Sequence, residues 1–194
     1  MNVSEDLREV LETAFEDAKE RRHEYVTPEH LLLALCGNLD GLRVLKATGV
    51  DVERLIDEID TFFSENLESI DSDEQVQPRQ TVAFWRVLQR AAMHVQSSGK
   101  DEVGAGNVIA SMLREDESQA TFLLKSHGVT RLDVTRYLAH GVTKQQALQT
   151  RDRSIDGEEM DEEADEEATF DTPLQAFTTD LVERARSEEH TSEL

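Results

Sequence analysis

The chain repeats itself once, and this constrains its fold more than any other feature. Shifted by 77 residues, Leu11, Ala14, Val26 and Leu31 fall on Leu88, Ala91, Val103 and Val108. After a two-residue insertion the shift becomes 79, and Val44-Leu45-Lys46-Ala47-Thr48-Gly49-Val50 falls on Leu123-Leu124-Lys125-Ser126-His127-Gly128-Val129. Leu-Lys-x-x-Gly-Val thus occurs twice, each time at the end of a helical pattern. Helical sequences align their apolar positions easily, but a shared Gly-Val stop in the same element order is much harder to reach by chance. The expected architecture is a duplicated four-helix unit, two copies packed into one domain, because a unit of about 60 to 70 residues buries too little surface to stand alone.

The helices inside each copy are legible from spacing and caps. Val3, Leu7, Val10, Leu11, Ala14, Phe15 and Ala18 recur at intervals of three and four, the signature of one helix face. A second helix opens at Thr27-Pro28, an N-cap followed by a proline where its missing N–H costs nothing, and Gly37 can end it. A short helix over Leu42 to Ala47 stops at Gly49, and Asp51 caps a fourth that carries Val52 through Phe63. Residues 64–80 lose this periodicity and read as a solvated connector. The second copy follows: Val82, Trp85, Leu88, Ala91, Ala92 and Val95 mark one helix, Asn107 to Leu113 the next, Ser118 caps a third, and Thr130 with Asp133 opens a fourth that Gly141 closes. No segment shows strand-like alternation. The predicted fold class is all-α, about eight helices in a pseudo-twofold pair, with repeat one over about 3–63, repeat two over about 81–141, and a domain ending at 141.

Charge divides the remainder. Residues 1–141 carry 26 acidic and 15 basic side chains, and residues 142–194 carry 16 and 5, so the shorter segment holds half of the chain's −22 excess. From Asp152 to Asp171 there are 11 acidic residues and one arginine. Such a run cannot bury enough apolar surface to offset its ordering entropy, and 142–173 is expected to be a disordered acidic linker. Pro173 ends it, and residues 174–186 regain helical spacing. An acidic chain is repelled by phosphate backbones, which disfavours nucleic acid as a partner. No apolar run approaches the roughly 18 residues of a membrane span, and the start lacks the basic and apolar regions of a signal peptide. The single cysteine, Cys36, allows no internal disulfide, which fits a reducing cytoplasm.

Candidate chemistry is sparse. Glu20-x-x-His23 has the spacing of a ferritin-like di-metal ligand pair, but no second Glu-x-x-His is present, which argues against a helical-bundle oxidoreductase. His23, Glu24 and His30 are the residues that could gather a surface ion adventitiously, and no metal or catalytic residue is assigned. Cys36 sits on a leucine-rich face and reads as core. Gly104-Ala105-Gly106-Asn107 lacks the Gly-x-x-x-x-Gly-Lys-[Ser/Thr] pattern of a phosphate loop and reads as a helix-start turn. What remains is a protein-binding surface, with a groove between the two copies as the place for a peptide.

Four stretches carry a resemblance. They are His23-Glu24-Tyr25-Val26-Thr27-Pro28-Glu29-His30-Leu31-Leu32-Leu33-Ala34-Leu35, Arg86 through Gly99, Glu117-Ser118-Gln119-Ala120, and His127 through Val134. Over about residues 1–141 the chain resembles the amino-terminal domain of the ClpA family of hexameric AAA+ unfoldases, which feed the ClpP peptidase and whose amino-terminal domain is itself a duplicated four-helix unit. The resemblance implies a non-enzymatic docking module, cytoplasmic, that binds the adaptor ClpS and substrate proteins. It places Glu24, Glu29 and Arg131 on the adaptor-facing surface. ATP, magnesium, hexamer formation and contact with ClpP would belong to an AAA+ module that this sequence does not contain, residues 174–186 resembling the segment that leads into it. Residues 187–194 resemble a translated sequencing-library adapter, so the reading frame is expected to be artificially truncated; the alternative is a natural polar tail. A free-standing acidic regulator that sequesters a basic partner is the competing reading.

Overall fold

A computed structural model describes residues 2–70 and 77–155. Helix α1 (Glu5–Glu20) is followed by α2 (Pro28–Gly37), α3 (Leu39–Ala47) and α4 (Val52–Asn66), and then by α5 (Val82–Ser97), α6 (Ala105–Met112), α7 (Gln119–Ser126) and α8 (Arg131–His140). The duplication is visible in these limits, since both ends of α5 lie 77 residues beyond those of α1. The caps correspond too: Ser4 Oγ accepts from Leu7 N–H at 3.1 Å and Thr81 Oγ1 from Phe84 N–H at 3.2 Å. The shared Gly-Val stops are left-handed turns, with φ of 85° at Gly49 and 73° at Gly128, where a side chain would be strained.

Four two-residue strands, absent from the sequence expectation, join the copies. Strand β1 (Asn2–Val3) pairs in parallel with β4 (Glu102–Val103), and β2 (Tyr25–Val26) pairs in parallel with β3 (Arg79–Gln80). Asn2 lies opposite Glu102 and Tyr25 opposite Arg79. The 77-residue shift turns each ladder into the other, so the two ladders are mates under the pseudo-twofold relation. Each strand runs directly into a helix N-cap, namely Ser4, Thr27, Thr81 or Gly104, which holds it to two residues. Two residues cannot display an alternating pattern.

The core is continuous across both copies. Leu7, Val10, Ala14 and Ala18 of α1 face inward, and α2 is buried almost all round, as a helix apolar on every side must be. Helix α6 is its counterpart in the second copy, buried from Ala105 to Met112 apart from Asn107. Among the described residues no helix is long and apolar enough to cross a membrane.

The structure adds two details. Val82 and Trp85 do not share the buried face of α5: they are 72% and 55% exposed, and the inward stripe is Phe84, Val87, Leu88, Ala91 and Val95. Within 142–155, assigned above to the linker, the chain forms helix α9 (Lys144–Ile155). Its start is a reciprocal cap, Thr143 N–H donating to Gln146 Oε1 at 3.0 Å and Gln146 N–H to Thr143 Oγ1 at 3.3 Å. Lys144 Nζ donates to the Gly128 carbonyl, tying α9 to the turn between α7 and α8. The acidic run beyond 155, residues 174–186 and the tail 187–194 lie outside the described residues.

Candidate functional site

Helix α7 is one of the places where repeat two is held by repeat one. Its first turn leaves amide groups without intrahelical partners. Ser118 Oγ takes the Thr121 N–H at 3.2 Å, and Glu29 Oε1, reaching across from α2, takes the Ala120 N–H at 2.9 Å. Glu29 is 4% exposed, so its carboxylate is a buried anion satisfied by a helix start, an arrangement the backbone dipole favours. At the other end of α7, His127 Nε2 lies 3.0 Å from Glu58 Oε2 of α4, and Arg54 Nε donates to the same carboxylate at 2.8 Å. His127 and Arg54 together hold the Glu58 carboxyl below its usual range. Between these clasps α4 and α7 enclose a groove of about 460 Å³, floored by Phe62 and Leu123 and edged by Arg54 and Glu58, the inter-copy groove expected from the duplication. Phe122 of α7 is exposed.

The other two assigned residues lie on the surface. Glu24 Oε1 accepts from Arg79 Nη2 at 2.7 Å, and the Arg79 guanidinium sits 5.4 Å from the centre of the Tyr25 ring. Tyr25 is partly exposed, and β3, its pairing partner, runs through Thr81 into Val82 and Trp85. Exposed Tyr25, Val82 and Trp85 thus follow one another along paired backbone beside an ion pair, and the sequence reading, which marked Val82 and Trp85 only as helical positions, did not separate them from the buried face. The stronger stripe 84, 87, 88, 91, 95 was the available signal. Arg131 is the first residue of α8 and exposed, with exposed Leu132 beside it. Among the described residues no ion pair holds Arg131, although a cation at a helix start opposes the dipole. No hydrogen bond or ion pair joins Glu24, Glu29 and Arg131 to one another.

The histidine pair has an internal role. Thr27 N–H donates to His30 Nδ1 at 3.1 Å, which leaves Nε2 of the neutral ring to face His23 Nδ1 at 2.9 Å. His30 stacks on Phe63 with ring centres 4.4 Å apart, and Arg21 lies over the same ring. Burial first, and then repulsion from a proton on His23 and from the Arg21 guanidinium, push His30 down to about 3; burial and Arg21 also lower His23. Repeat two builds the same cap with Asn107 Oδ1 on Gly104 N–H at 3.1 Å, which makes Gly104-Ala105-Gly106-Asn107 a helix-start turn. Cys36 is buried and its thiol is pushed up to about 12. Among the described residues no three His, Cys, Asp or Glu side chains gather as metal ligands.

The profile of the Clp repeat (R) N-terminal domain matches residues 2–127. A ClpA homolog protein of Fuscovulum blasticum is 37% identical over 189 residues, covering 95% of this chain and 24% of the homologue, so the chain spans about a quarter of that relative's length. The Hsp104 N-terminal domain from Candida albicans superposes with a TM-score of 0.59 at 16% identity, covering 78% of this chain and 92% of that domain. The ClpV N-domain in complex with a VipB peptide superposes with a TM-score of 0.56 at 24% identity, covering 72% and 86%.

Proposed function

The chain belongs to the Clp repeat N-terminal domain family, and from that premise we propose that it is the docking domain of a ClpA-type AAA+ unfoldase, binding the adaptor ClpS and substrate proteins for delivery to the ClpP peptidase. ATP hydrolysis with magnesium, hexamer assembly and contact with ClpP fall to AAA+ modules outside this sequence. The observation that carries the reading is Arg131, an exposed cation at a helix start with no ion-pair partner among the described residues and an exposed leucine beside it. Such a placement costs stability in the free domain and is repaid when a partner brings a carboxylate. Glu24, with Arg79, Tyr25, Val82 and Trp85, offers a second contact of the same composition: an apolar centre with charges that fix orientation. Glu29 serves from inside, holding α7 against α2 and so setting where α8 begins. The VipB peptide bound to the ClpV N-domain supports this fold as a peptide receptor.

Calorimetric titration of ClpS into the full chain tests it. Arg131→Ala should weaken binding about ten-fold or more, the cost of removing a charge that becomes desolvated, without changing the unfolding midpoint. Arg43→Ala, which removes an exposed arginine of α3, should not. Equal affinities for the wild type and both variants would refute the Arg131 contact.

A further inference from the structure

Helices α1 and α2 enclose a second groove, on different elements from Arg131 and from the Trp85 patch. Val10 and Leu33 line it, Leu39 stands at its mouth 70% exposed, and Asp6, Glu9 and Asp17 form its rim, the whole enclosing about 310 Å³. Asp17 binds Arg21 at 2.9 Å, while Asp6 and Glu9 have no ion-pair partner among the described residues. The duplication shows what fills such a place. Under the 77-residue shift Glu9, Thr13 and Asn38 fall on Arg86, Arg90 and Glu115. In repeat two both arginines reach across to the buried Glu115 carboxylate, Arg90 from a half-buried position and Arg86 from an exposed one: Arg86 Nη2 bonds Oε1, and Arg90 Nη1 lies 2.8 Å from Oε2, with Glu115 only 4% exposed. Repeat two therefore places its own guanidinium groups against a carboxylate at the corresponding positions. Repeat one has the acidic wall and the apolar floor but supplies no cation of its own from Glu9 or Thr13.

We infer that the α1–α2 groove is a docking site for a basic amphipathic peptide segment, its arginines meeting Asp6 and Glu9 and an aliphatic side chain resting on half-buried Leu33 beside exposed Leu39. The segment reproduces between molecules the contact that Arg86 and Arg90 make within repeat two. The apolar floor supplies attachment, and the carboxylates supply orientation and salt dependence.

The test uses fluorescence anisotropy with the full chain and a fluorescein-labelled helical peptide of about 16 residues, with arginine and leucine on one face. Sister peptides replace either leucine by serine or arginine by glutamate. The Arg/Leu peptide should bind at least about ten-fold more tightly than either sister. Asp6→Asn/Glu9→Gln should weaken it about ten-fold, as expected for two exposed charge contacts. Gly37→Tyr leaves charge untouched, and a side chain grown from Gly37, which lines the groove, meets nothing within 4 Å; this variant should also lose binding about ten-fold. Glu53→Gln/Glu68→Gln, equal in charge change and at residues that do not line the groove, should bind as the wild type does. The inference is overturned if that control weakens binding as much as the groove variant, which would mean bulk attraction to an acidic chain. It is equally overturned if Gly37→Tyr binds normally, or if sedimentation shows self-association that Gly37→Tyr abolishes, since the occupant would then be a second copy.

Discussion

Replacing Glu29 separates its role in holding the copies together from any direct contact with a partner. Its Oε1 accepts the Ala120 N–H at 2.9 Å across 91 positions of sequence, and both residues are buried. Glu29→Ala removes a hydrogen bond to a charged acceptor, worth about 1.5–3 kcal/mol, and a favourable charge at a helix start, worth about 0.3–1 kcal/mol. It also leaves the Ala120 amide without a partner in a dry site, a penalty of about 1–3 kcal/mol that overlaps the first figure. A net loss of about 2–4 kcal/mol is expected. Glu29→Gln keeps an acceptor oxygen at the same reach and forfeits mainly the charge, a loss of about 1 kcal/mol. Urea unfolding of the full chain, followed by far-ultraviolet circular dichroism, reads both. With a slope of about 1–3 kcal/mol per molar, Glu29→Ala should lower the midpoint by about 1 M or more and Glu29→Gln by clearly less. Equal midpoints for the two variants, or a loss below about 0.5 kcal/mol in Glu29→Ala, would refute the assignment of Glu29 as the cap of α7.

Two further outcomes follow from the repeat. His30 is held near 3 in the folded chain and regains its ordinary value near 6.5 on unfolding. The unfolded chain therefore binds the extra proton between these values. Stability from this group is complete above about pH 6.5 and is lost as pH falls toward 3, by at most about 1.4 kcal/mol per pH unit. His30→Asn, the residue that repeat two uses at 107, should flatten that slope in urea melts at pH 7.5, 6 and 5; an unchanged slope would exclude His30 as its source. Arg22 has φ of 60° where repeat two has Gly99 at 67°. A left-handed residue with a side chain costs about 1–2 kcal/mol, part of which is offset by the freedom glycine adds to the unfolded chain, so Arg22→Gly should raise the unfolding free energy by about 0.5–1 kcal/mol, and a decrease would contradict the strain argument.

Local signals were legible and long-range ones were not. Thr27, Asp51, Ser118 and Thr130 all sit at the N-cap positions where the structure has them, because a cap is decided within four residues. The strands escaped notice because each depends on a partner about 55 to 100 positions away and is too short to have a period. Helix α9 escaped because the acidic composition beyond it masked the Thr143 and Gln146 capping pair. The duplication predicted a groove between copies, and α4 and α7 form one. Of the three assigned contact residues, sequence could not separate buried Glu29 from exposed Glu24 and Arg131, since the Ala120 amide that takes Glu29 inside belongs to the other repeat.

Amide hydrogen exchange of the full chain with and without ClpS tests docking most directly, because it maps the footprint without altering a residue. Added protection is predicted in three stretches, 24–26, 79–85 and 129–134, where Glu24, Trp85 and Arg131 lie. The α3 segment 39–47 should exchange as before. Protection confined to other elements, or none at ClpS concentrations that saturate the calorimetric signal, would contradict the account.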